Sequence, residues 1–297
     1  MHLRRRRSRL SAALAVSLAA LAVSLAALAG CAAQHPPTPP PAPAMPAAVA
    51  PALPPHGLAR MVATGEMRVG TSGGQAPFSM TTRNGDLVGL DIALARILGQ
   101  SMGLEVRFVT LPFAELLPAL EGGDVDLVMS GMTITPARAQ RAAFVGPYVT
   151  TGKALLTRSK RLAAVQAAHD LDDPKLRFAA LEGSTSEDFA ERSLPRAKLV
   201  LASELEAAVG LLLAGKVDGV LADRETAAIA VLRHPGAGLL ESTATFTVEP
   251  IGIAVPLDDP RLASLVQTYL DALASRGVLE KARDFWMKDP SWVKDIR

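Results

Sequence analysis

The chain has 297 residues, of which 49% are hydrophobic and 20% are charged, a composition typical of a globular protein. One cysteine excludes an intramolecular disulfide and a cysteine-based zinc site, and the five histidines lack metal-site spacing, so we expect no metal and no cofactor. The formal charge of +2 comes from 31 basic and 29 acidic residues, but five of the 31 are arginines within residues 1–30, which hold no acid. The remaining 26 basic residues give residues 31–297 a formal charge of −3, which excludes the basic stripe of a nucleic-acid-binding protein.

The first 30 residues have the organisation of an export signal. Arginine-rich residues 1–9 precede an uncharged run that ends in Leu28-Ala29-Gly30-Cys31. A basic segment, an apolar segment and small residues before a cysteine are typical of a lipoprotein signal peptide. We therefore predict that residues 1–30 are removed and that Cys31 carries a lipid anchor. The alternative is a membrane-spanning segment with an incidental cysteine, because the apolar run is long enough to cross a bilayer.

A proline-rich segment follows the cysteine. Residues 32–55 hold ten of the 22 prolines, interleaved with alanine. Such a composition favours extended polyproline II structure, so residues 31–57 are predicted to be a lipidated, semi-rigid spacer that holds the body away from the membrane.

From residue 60 onwards, the pattern alternates between strands and helices. Apolar residues at helical spacing predict helices, apolar alternation predicts half-buried strands, and glycines mark where the helices end. The predicted elements are a strand at Met67–Thr71, a helix from Leu90 to Met102, a strand around Val106 and Phe108, a helix at Glu115–Glu121 and a strand at Val125–Met129.

A short phrase occurs twice in the body. Gly123-Asp124-Val125-Asp126-Leu127-Val128 is echoed by Gly215-Lys216-Val217-Asp218-Gly219-Val220, each after an apolar helix. The echo indicates two similar α/β domains. Parallel strands place ligands at their carboxyl ends, here Ser130-Gly131 and Ala222-Asp223, so two such domains facing each other would form a clamshell.

The stretch from Ser130 to Arg138 is the most informative one for binding. Thr135 is a good N-cap and Pro136 a good first helical residue, which places Arg138 in the first turn of a helix. A cation there opposes the helix dipole, and a bound carboxylate would offset it. The hydroxyl of Thr133 would assist Arg138, and carbonyl groups near Ser130 and Gly131 could accept from an ammonium. The alternative is an ordinary surface arginine.

The second half contains a matching set of polar residues. Ser184 and Glu187 fit a capping box, and a helix start at Thr185 can bind an anion. Asp223, at the end of a predicted strand, is a natural partner for an ammonium; the alternative is an aspartate that only forms a turn. Ser203 with Glu206 fits another capping box, to which we assign no role. Taken together, the two halves would supply a carboxylate receptor and an ammonium receptor for an α-amino acid.

These motifs resemble those of the solute-binding proteins of polar amino-acid ABC importers, family 3 of the periplasmic binding proteins. The resemblance runs from about Leu58 to Trp292. Its matching phrases are Ala76-Pro77-Phe78, Gly85 to Asp91, Ser130 to Arg138, Phe144 to Tyr148, Gly183 to Ser186 and Val217 to Asp223.

The resemblance implies a type II two-domain α/β clamshell with two hinge crossings, near Thr150 and Val248. Domain 1 would comprise residues 58–150 plus 249–297, and domain 2 residues 151–248. We expect a monomer whose partners are an amino acid, an ABC importer permease and, through Cys31, the membrane at the periplasmic or extracytoplasmic face.

The resemblance also implies roles for individual residues. Arg138, Thr133, Thr185 and Ser184 would bind the ligand carboxylate, and Asp223, Ser130 and Gly131 the amine. Phe113 would pack on the ligand side chain. Gln75 stands where many members carry an aromatic residue, Ser72 where many carry an acid, and Ser186 replaces a larger polar residue. These three departures leave the side-chain preference open.

Two other functions remain as alternatives. Cyclohexadienyl dehydratases share the fold and place a glutamate three residues after the acid matching Asp223, where this chain has Thr226. The chain lacks that general acid, so we expect no enzyme. A ligand-sensing module for a membrane receptor is the third function, and neighbouring genes for a permease or a sensor kinase would discriminate between transport and sensing.

Overall fold

The computed structural model describes residues 56–296. The predicted signal peptide, Cys31 and nearly all of the proline-rich spacer lie outside this range. Within the range, none of the helices has both the length and the apolar character needed to cross a membrane.

Helices and strands alternate along most of the described chain. The helices are α1 (Gly57–Thr64), α2 (Leu90–Met102), α3 (Leu116–Gly122), α4 (Pro136–Ala139), α5 (Lys160–Ala163), α6 (Thr185–Ser193), α7 (Leu205–Leu213), α8 (Arg224–Arg233), α9 (Pro260–Ser275) and α10 (Val278–Lys288). The strands are β1 (Glu66–Thr71), β2 (Gly74–Gln75), β3 (Ser79–Thr81), β4 (Leu87–Val88), β5 (Glu105–Thr110), β6 (Leu127–Val128), β7 (Ala143–Thr151), β8 (Lys153–Thr157), β9 (Arg177–Leu181), β10 (Lys198–Ala202), β11 (Gly219–Asp223), β12 (Leu240–Glu241) and β13 (Glu249–Val255). Three short 3-10 helices lie at Phe113–Glu115, Ala168–Leu171 and Pro290–Asp295.

The strands form two five-stranded mixed sheets with related topology. The first has the order β5-β1-β6-β13-β7, with β1 parallel to β5 and β6, and β13 antiparallel to β6 and β7. The second has the order β10-β9-β11-β8-β12, with β9 parallel to β10 and β11, and β8 antiparallel to β11 and β12. Strands β2, β3 and β4 form a small antiparallel sheet. The predicted arrangement of two α/β lobes is therefore confirmed.

The chain crosses between the two large sheets twice. It passes from β7 to β8 through Gly152, and it returns between β12 and β13. The crossings lie against each other, because a Cβ on Gly152 would come within 2.2 Å of the Thr247 carbonyl oxygen. Glycine is therefore required where the two segments touch. The domain boundaries near Thr150 and Val248, and hinge motion at them, stay predictions.

Each lobe has its own hydrophobic core, and two apolar clusters join the lobes. Leu181, at the end of β9, packs with Phe113 and other residues of the first lobe. Ile229 of α8 packs with Trp292 and Ile296 from the C-terminal end of the chain. The lobes therefore contact each other through apolar side chains as well as at the chain crossings.

The sequence echo corresponds to the same local structure in both lobes. Asp126, before β6, accepts a hydrogen bond from the backbone N–H of Arg68 at 2.8 Å and pairs with its guanidinium at 2.9 Å. Asp218, before β11, accepts from the backbone N–H of Arg177 at 2.8 Å, with the guanidinium at 3.6 Å. Each aspartate's own N–H donates to the carbonyl of that same arginine. The echo thus marks one structural unit that occurs twice.

Three sequence predictions differ from the structure in detail. Strand β6 pairs only at Leu127–Val128, although Val125 and Met129 are buried as expected. Helix α3 begins at Leu116, after a 3-10 turn. The predicted capping box at Ser203 and Glu206 is wrong. Helix α7 begins at Leu205, and its N-cap residue is Glu204, whose side chain makes no capping hydrogen bond. Glu206 instead pairs with Arg233 and His234 of the adjacent helical segment.

Candidate functional site

A small cavity lies between the lobes. Nine predicted site residues line it, namely Gln75, Phe113, Gly131, Thr133, Arg138, Ser184, Thr185, Ser186 and Asp223. The other lining residues are Lys153, Leu181, Leu205, Leu221, Ala222 and Thr226. Ser130 and Ser72 do not line this cavity.

Arg138 lies at the interface between the lobes. Thr135 caps helix α4 by accepting from the Arg138 N–H, and Pro136 is the first helical residue, as the sequence predicts. The two terminal guanidinium nitrogens donate to the carbonyls of Thr133 and Gly183, each at 3.0 Å. Because these carbonyls belong to different lobes, the Arg138 side chain is hydrogen-bonded to both lobes.

The charge of Arg138 has no carboxylate partner among residues 56–296. The side chain is only 9% exposed, and burial lowers the pKa of its guanidinium while the more distant Asp188, Asp223 and Glu249 raise it. Its guanidinium carbon lies 5.5 Å from the centre of the Phe113 ring, which provides a cation–π contact. An arginine remains charged even when buried, so this one can take an anionic group from the cavity.

The start of helix α6 lies close to Arg138 across the lobes. The Ser184 hydroxyl accepts from the N–H groups of Ser186 and Glu187. The Glu187 carboxylate accepts from Gly183 N–H at 2.6 Å, one residue earlier than an ordinary capping box. The hydroxyls of Thr185 and Thr133 lie 3.3 Å apart across the lobes. Two hydroxyls and a helix start therefore lie close to Arg138.

Ser130 and Ser72 form a pair at one edge of this region. The Ser130 hydroxyl is fully buried, accepts from the Ser72 N–H at 2.9 Å and donates to the Ser72 hydroxyl at 3.0 Å. Ser72 lines a wider chamber that adjoins the cavity and shares Gln75 and Phe113 with it. The Ser130 hydroxyl is thus hydrogen-bonded within the protein, and only the Ser130 backbone is available for the predicted contact with a ligand ammonium.

Asp223 is already paired with a lysine that sequence reasoning missed. Lys153 is 2% exposed, and its Nζ lies 2.6 Å from Asp223 Oδ1 and 3.9 Å from Glu249 Oε2. The two residues are direct cross-strand neighbours on β8 and β11. The only sequence signal was a lysine at the start of an apolar strand, and it did not indicate which acid would lie opposite.

Two polar side chains that line the cavity have no hydrogen-bond partner within residues 56–296. Gln75 is 7% exposed, and its amide oxygen has no hydrogen-bond partner within the described part of the chain. The buried Thr226 hydroxyl is likewise unpartnered. Phe113, Leu181 and Leu205 contribute apolar surface to the same cavity. Since buried polar groups are normally hydrogen-bonded, the cavity suits a ligand with a polar group as well as apolar surface.

A buried carboxyl group supports the strand end at Gly131. Asp91 accepts from the Gly131 N–H at 2.6 Å and from the Tyr148 hydroxyl at 2.6 Å. Burial raises the pKa of Asp91 to about 7, against the two hydrogen bonds, which lower it. Gly131 has a φ of 60°, and a Cβ there would come within 2.8 Å of the Phe78 ring. The backbone at this strand end is therefore held by both packing and a titratable group.

The Asp91 carboxyl predicts a pH-dependent stability. Its folded pKa of about 7 exceeds the ordinary value of 3.8, so its contribution is fully present below that ordinary value and is lost as pH rises through about 7. Lowering the pH from about 8 to about 5 should therefore raise the free energy of unfolding by about 2 kcal/mol through this group. Urea unfolding of the wild type and Asp91→Asn at both pH values checks this. Equal pH responses in the two proteins would contradict it.

Residues 67–289 match the model of the bacterial extracellular solute-binding proteins, family 3. Among curated relatives, a cyclohexadienyl dehydratase of Pseudomonas aeruginosa is 26% identical over 78% of this chain and 86% of its own. An L-arginine-binding protein of the same organism is 29% identical over 73% of this chain and 86% of its own.

Solved structures show the same likeness. An ancestral amino acid-binding protein, described as a precursor of cyclohexadienyl dehydratase, is 32% identical with a TM-score of 0.71, over 77% of this chain and 98% of its own. A putative ABC-transporter binding component from Wolinella succinogenes, complexed with lysine, is 31% identical with a TM-score of 0.73, over 77% of this chain and 99% of its own.

Proposed function

The chain belongs to the bacterial extracellular solute-binding proteins, family 3, and on that basis we propose that it captures an amino acid between its two lobes and delivers it to an ABC importer. The observation that carries the proposal is Arg138. This buried guanidinium faces a cavity lined by both lobes and has no carboxylate partner in residues 56–296. A free carboxylate group on a ligand supplies that partner.

The cavity suggests one orientation for the ligand. Its carboxylate would bind Arg138 with help from Thr133 and the start of α6 at Thr185, and its ammonium would approach Asp223. Its side chain would extend toward Gln75 and Phe113, which lie at the junction with the wider chamber. Relatives that bind arginine or complex lysine support an amino-acid ligand.

Closure of the lobes would follow from the ligand's contacts with both of them. Arg138 and Thr133 of the first lobe already contact Gly183 and Thr185 of the second. A ligand held by the same groups adds contacts that exist only when the lobes are together, which shifts the population toward the closed form.

Lipid anchoring at Cys31 is part of the same proposal and rests on the sequence alone. The basic, apolar and small-residue segments before this cysteine support export followed by lipidation. In cell fractionation, the wild type should sediment with membranes, whereas Cys31→Ser should be released or retain its leader. An unlipidated wild type, with the leader still attached by mass spectrometry, would favour a membrane-spanning leader instead.

A dehydratase activity is the competing function, since one relative is a cyclohexadienyl dehydratase. The resemblance to those enzymes places a glutamate at the position of Thr226, and Thr226 lines the cavity. A hydroxyl is a poor general acid at neutral pH, so we expect purified protein to leave prephenate and arogenate unchanged. Formation of phenylpyruvate or phenylalanine above a no-protein control would establish the enzyme.

A further inference from the structure

The two charged groups assigned to ligand binding, Arg138 and Asp223, differ in whether another side chain of the protein balances their charge. This difference bears on the class of ligand that the cavity takes. Arg138 has no carboxylate partner in the described part of the chain, whereas Asp223 is bound to Lys153 at 2.6 Å. If the cavity binds amino acids as proposed, Arg138 lacks a counterion until a ligand carboxylate arrives. Asp223 already has a counterion, Lys153.

Lys153 is held in place by several contacts. It is the first residue of β8, opposite Asp223 in the sheet. Its backbone N–H donates to the Thr247 hydroxyl at 3.0 Å, and that hydroxyl donates to Glu249 at 2.7 Å. Glu249 is 7% exposed and its other carboxylate oxygen lies 3.9 Å from the lysine Nζ. The lysine is therefore built into both crossing segments and is not a mobile surface group.

The charged side chains near Asp223 can accept a ligand cation, but Asp223 keeps a cationic partner without one. Lys153 faces two carboxylates, Asp223 and Glu249, so the three side chains sum to a single negative charge. Glu225 lies nearby, hydrogen-bonded to Thr151, and burial raises the pKa of its carboxyl. A ligand ammonium would share the carboxylates with Lys153, and without a ligand ammonium Asp223 still keeps its lysine.

We propose that Lys153 is a resident counterion that makes the ligand's amino group dispensable, so that the cavity binds 2-hydroxy and 2-oxo acids as well as 2-amino acids. In a cavity without Lys153, loss of the ligand ammonium would strand a buried carboxylate, which lowers affinity by about two orders of magnitude or more. With Lys153 present, Asp223 stays paired. Loss of the ligand carboxylate has no such compensation, because Arg138 has no resident anion.

The first test compares ligands that differ only at the 2-position. Calorimetry on the wild-type protein would measure each proteinogenic amino acid that binds against the 2-hydroxy acid of the same side chain, for example arginine with argininic acid or phenylalanine with phenyllactic acid. We expect the hydroxy acid to bind within about tenfold of the amino acid. The decarboxylated analogue, agmatine or phenethylamine, should not bind measurably. A hydroxy acid weaker by more than about a hundredfold would overturn the proposal.

The second test removes the resident cation. Lys153→Met should widen the preference for the amino acid over its hydroxy acid by at least about tenfold, because Asp223 then needs the ligand ammonium. Lys153→Arg keeps the charge and should leave the preference within about threefold of the wild type. A preference in Lys153→Met equal to that of the wild type would contradict the role of Lys153. Far-ultraviolet circular dichroism verifies folding, and if Lys153→Met does not fold, the wild-type comparison decides.

These outcomes separate this inference from the proposed function. If no amino acid binds the wild type, amino-acid capture itself is wrong. If amino acids bind and their hydroxy acids do not, amino-acid capture stands and the resident-counterion role of Lys153 is rejected.

Discussion

Replacing Arg138 with alanine should lower amino-acid affinity at least about a hundredfold, equivalent to about 3 kcal/mol. The guanidinium is buried, donates to carbonyls of both lobes and carries the positive charge that we propose binds the ligand carboxylate. Alanine removes the charge-assisted hydrogen bonds, including the one to Gly183 that joins the two lobes. Lysine would restore the charge without the two-donor fork, so Arg138→Lys should fall between alanine and wild type.

The control for this variant is Arg141, three residues further along the chain. Arg141 is 45% exposed and pairs with Glu121 on the surface, 2.7 Å away. Its replacement by alanine should leave affinity within about twofold, because exposed ion pairs contribute little. Calorimetric titration of the three variants and the wild type gives the comparison. An Arg138→Ala protein that binds within about tenfold of the wild type would show that the carboxylate lies elsewhere.

Replacing Asp126 with alanine should cost about 3–5 kcal/mol of folding free energy. The carboxylate is fully buried and accepts from Arg68 through both backbone and side chain. It also accepts from the Gly57 N–H, and Arg60 lies 3.6 Å away. Alanine removes the buried acceptor that these donors share and the carboxylate that lies beside both guanidinium groups. The protein should show a strongly lowered denaturation midpoint.

The second copy of the echo supplies the matched control. Asp218 occupies the same place beside β11, but its side chain is 33% exposed and its partner Arg177 is 44% exposed. Water can replace the lost contacts there, so Asp218→Ala should cost only about 1 kcal/mol. Denaturant unfolding measures both variants. Equal losses would mean that burial does not control the contribution of this unit.

The repeated unit could be predicted from sequence because its determinants are local. A helix ends at a glycine with positive φ, Gly123 or Gly215, and an aspartate follows at the start of a strand. The helix end and the aspartate lie within a few residues of each other, whereas the arginine partner is 58 residues away in the first copy and 41 in the second. The pattern therefore predicted two lobes, although it did not predict that one aspartate would be buried and the other partly exposed.

Of the two capping boxes predicted from sequence, only one caps its helix in the structure. Ser184 caps α6 through its hydroxyl, as its sequence predicts. Ser203 has the same spacing to a glutamate but is not an N-cap, and Glu206 pairs with Arg233 and His234 in three dimensions instead. A partner on another helix outweighed a weak local preference. Sequence spacing could not reveal that partner.

The candidate site was predictable in its residue types and less so in its pairings. Arg138, Thr133 and Thr185 lie near one another as the motifs predicted. The pairing of Asp223 with Lys153 depends on the antiparallel register of β8 and β11, which joins residues 70 positions apart. No local pattern specifies that register, so the pair to which we assign a role in ligand choice appears only in the folded chain.

The most direct measurement of amino-acid capture is a crystal structure of the protein with its tightest-binding amino acid. We predict that the ligand carboxylate lies within hydrogen-bonding distance of the Arg138 guanidinium and of Thr133 or Thr185, with its amino group toward Asp223 and its side chain toward Gln75 and Phe113. A ligand carboxylate that does not contact Arg138, or a ligand bound to one lobe only, would contradict capture between the lobes.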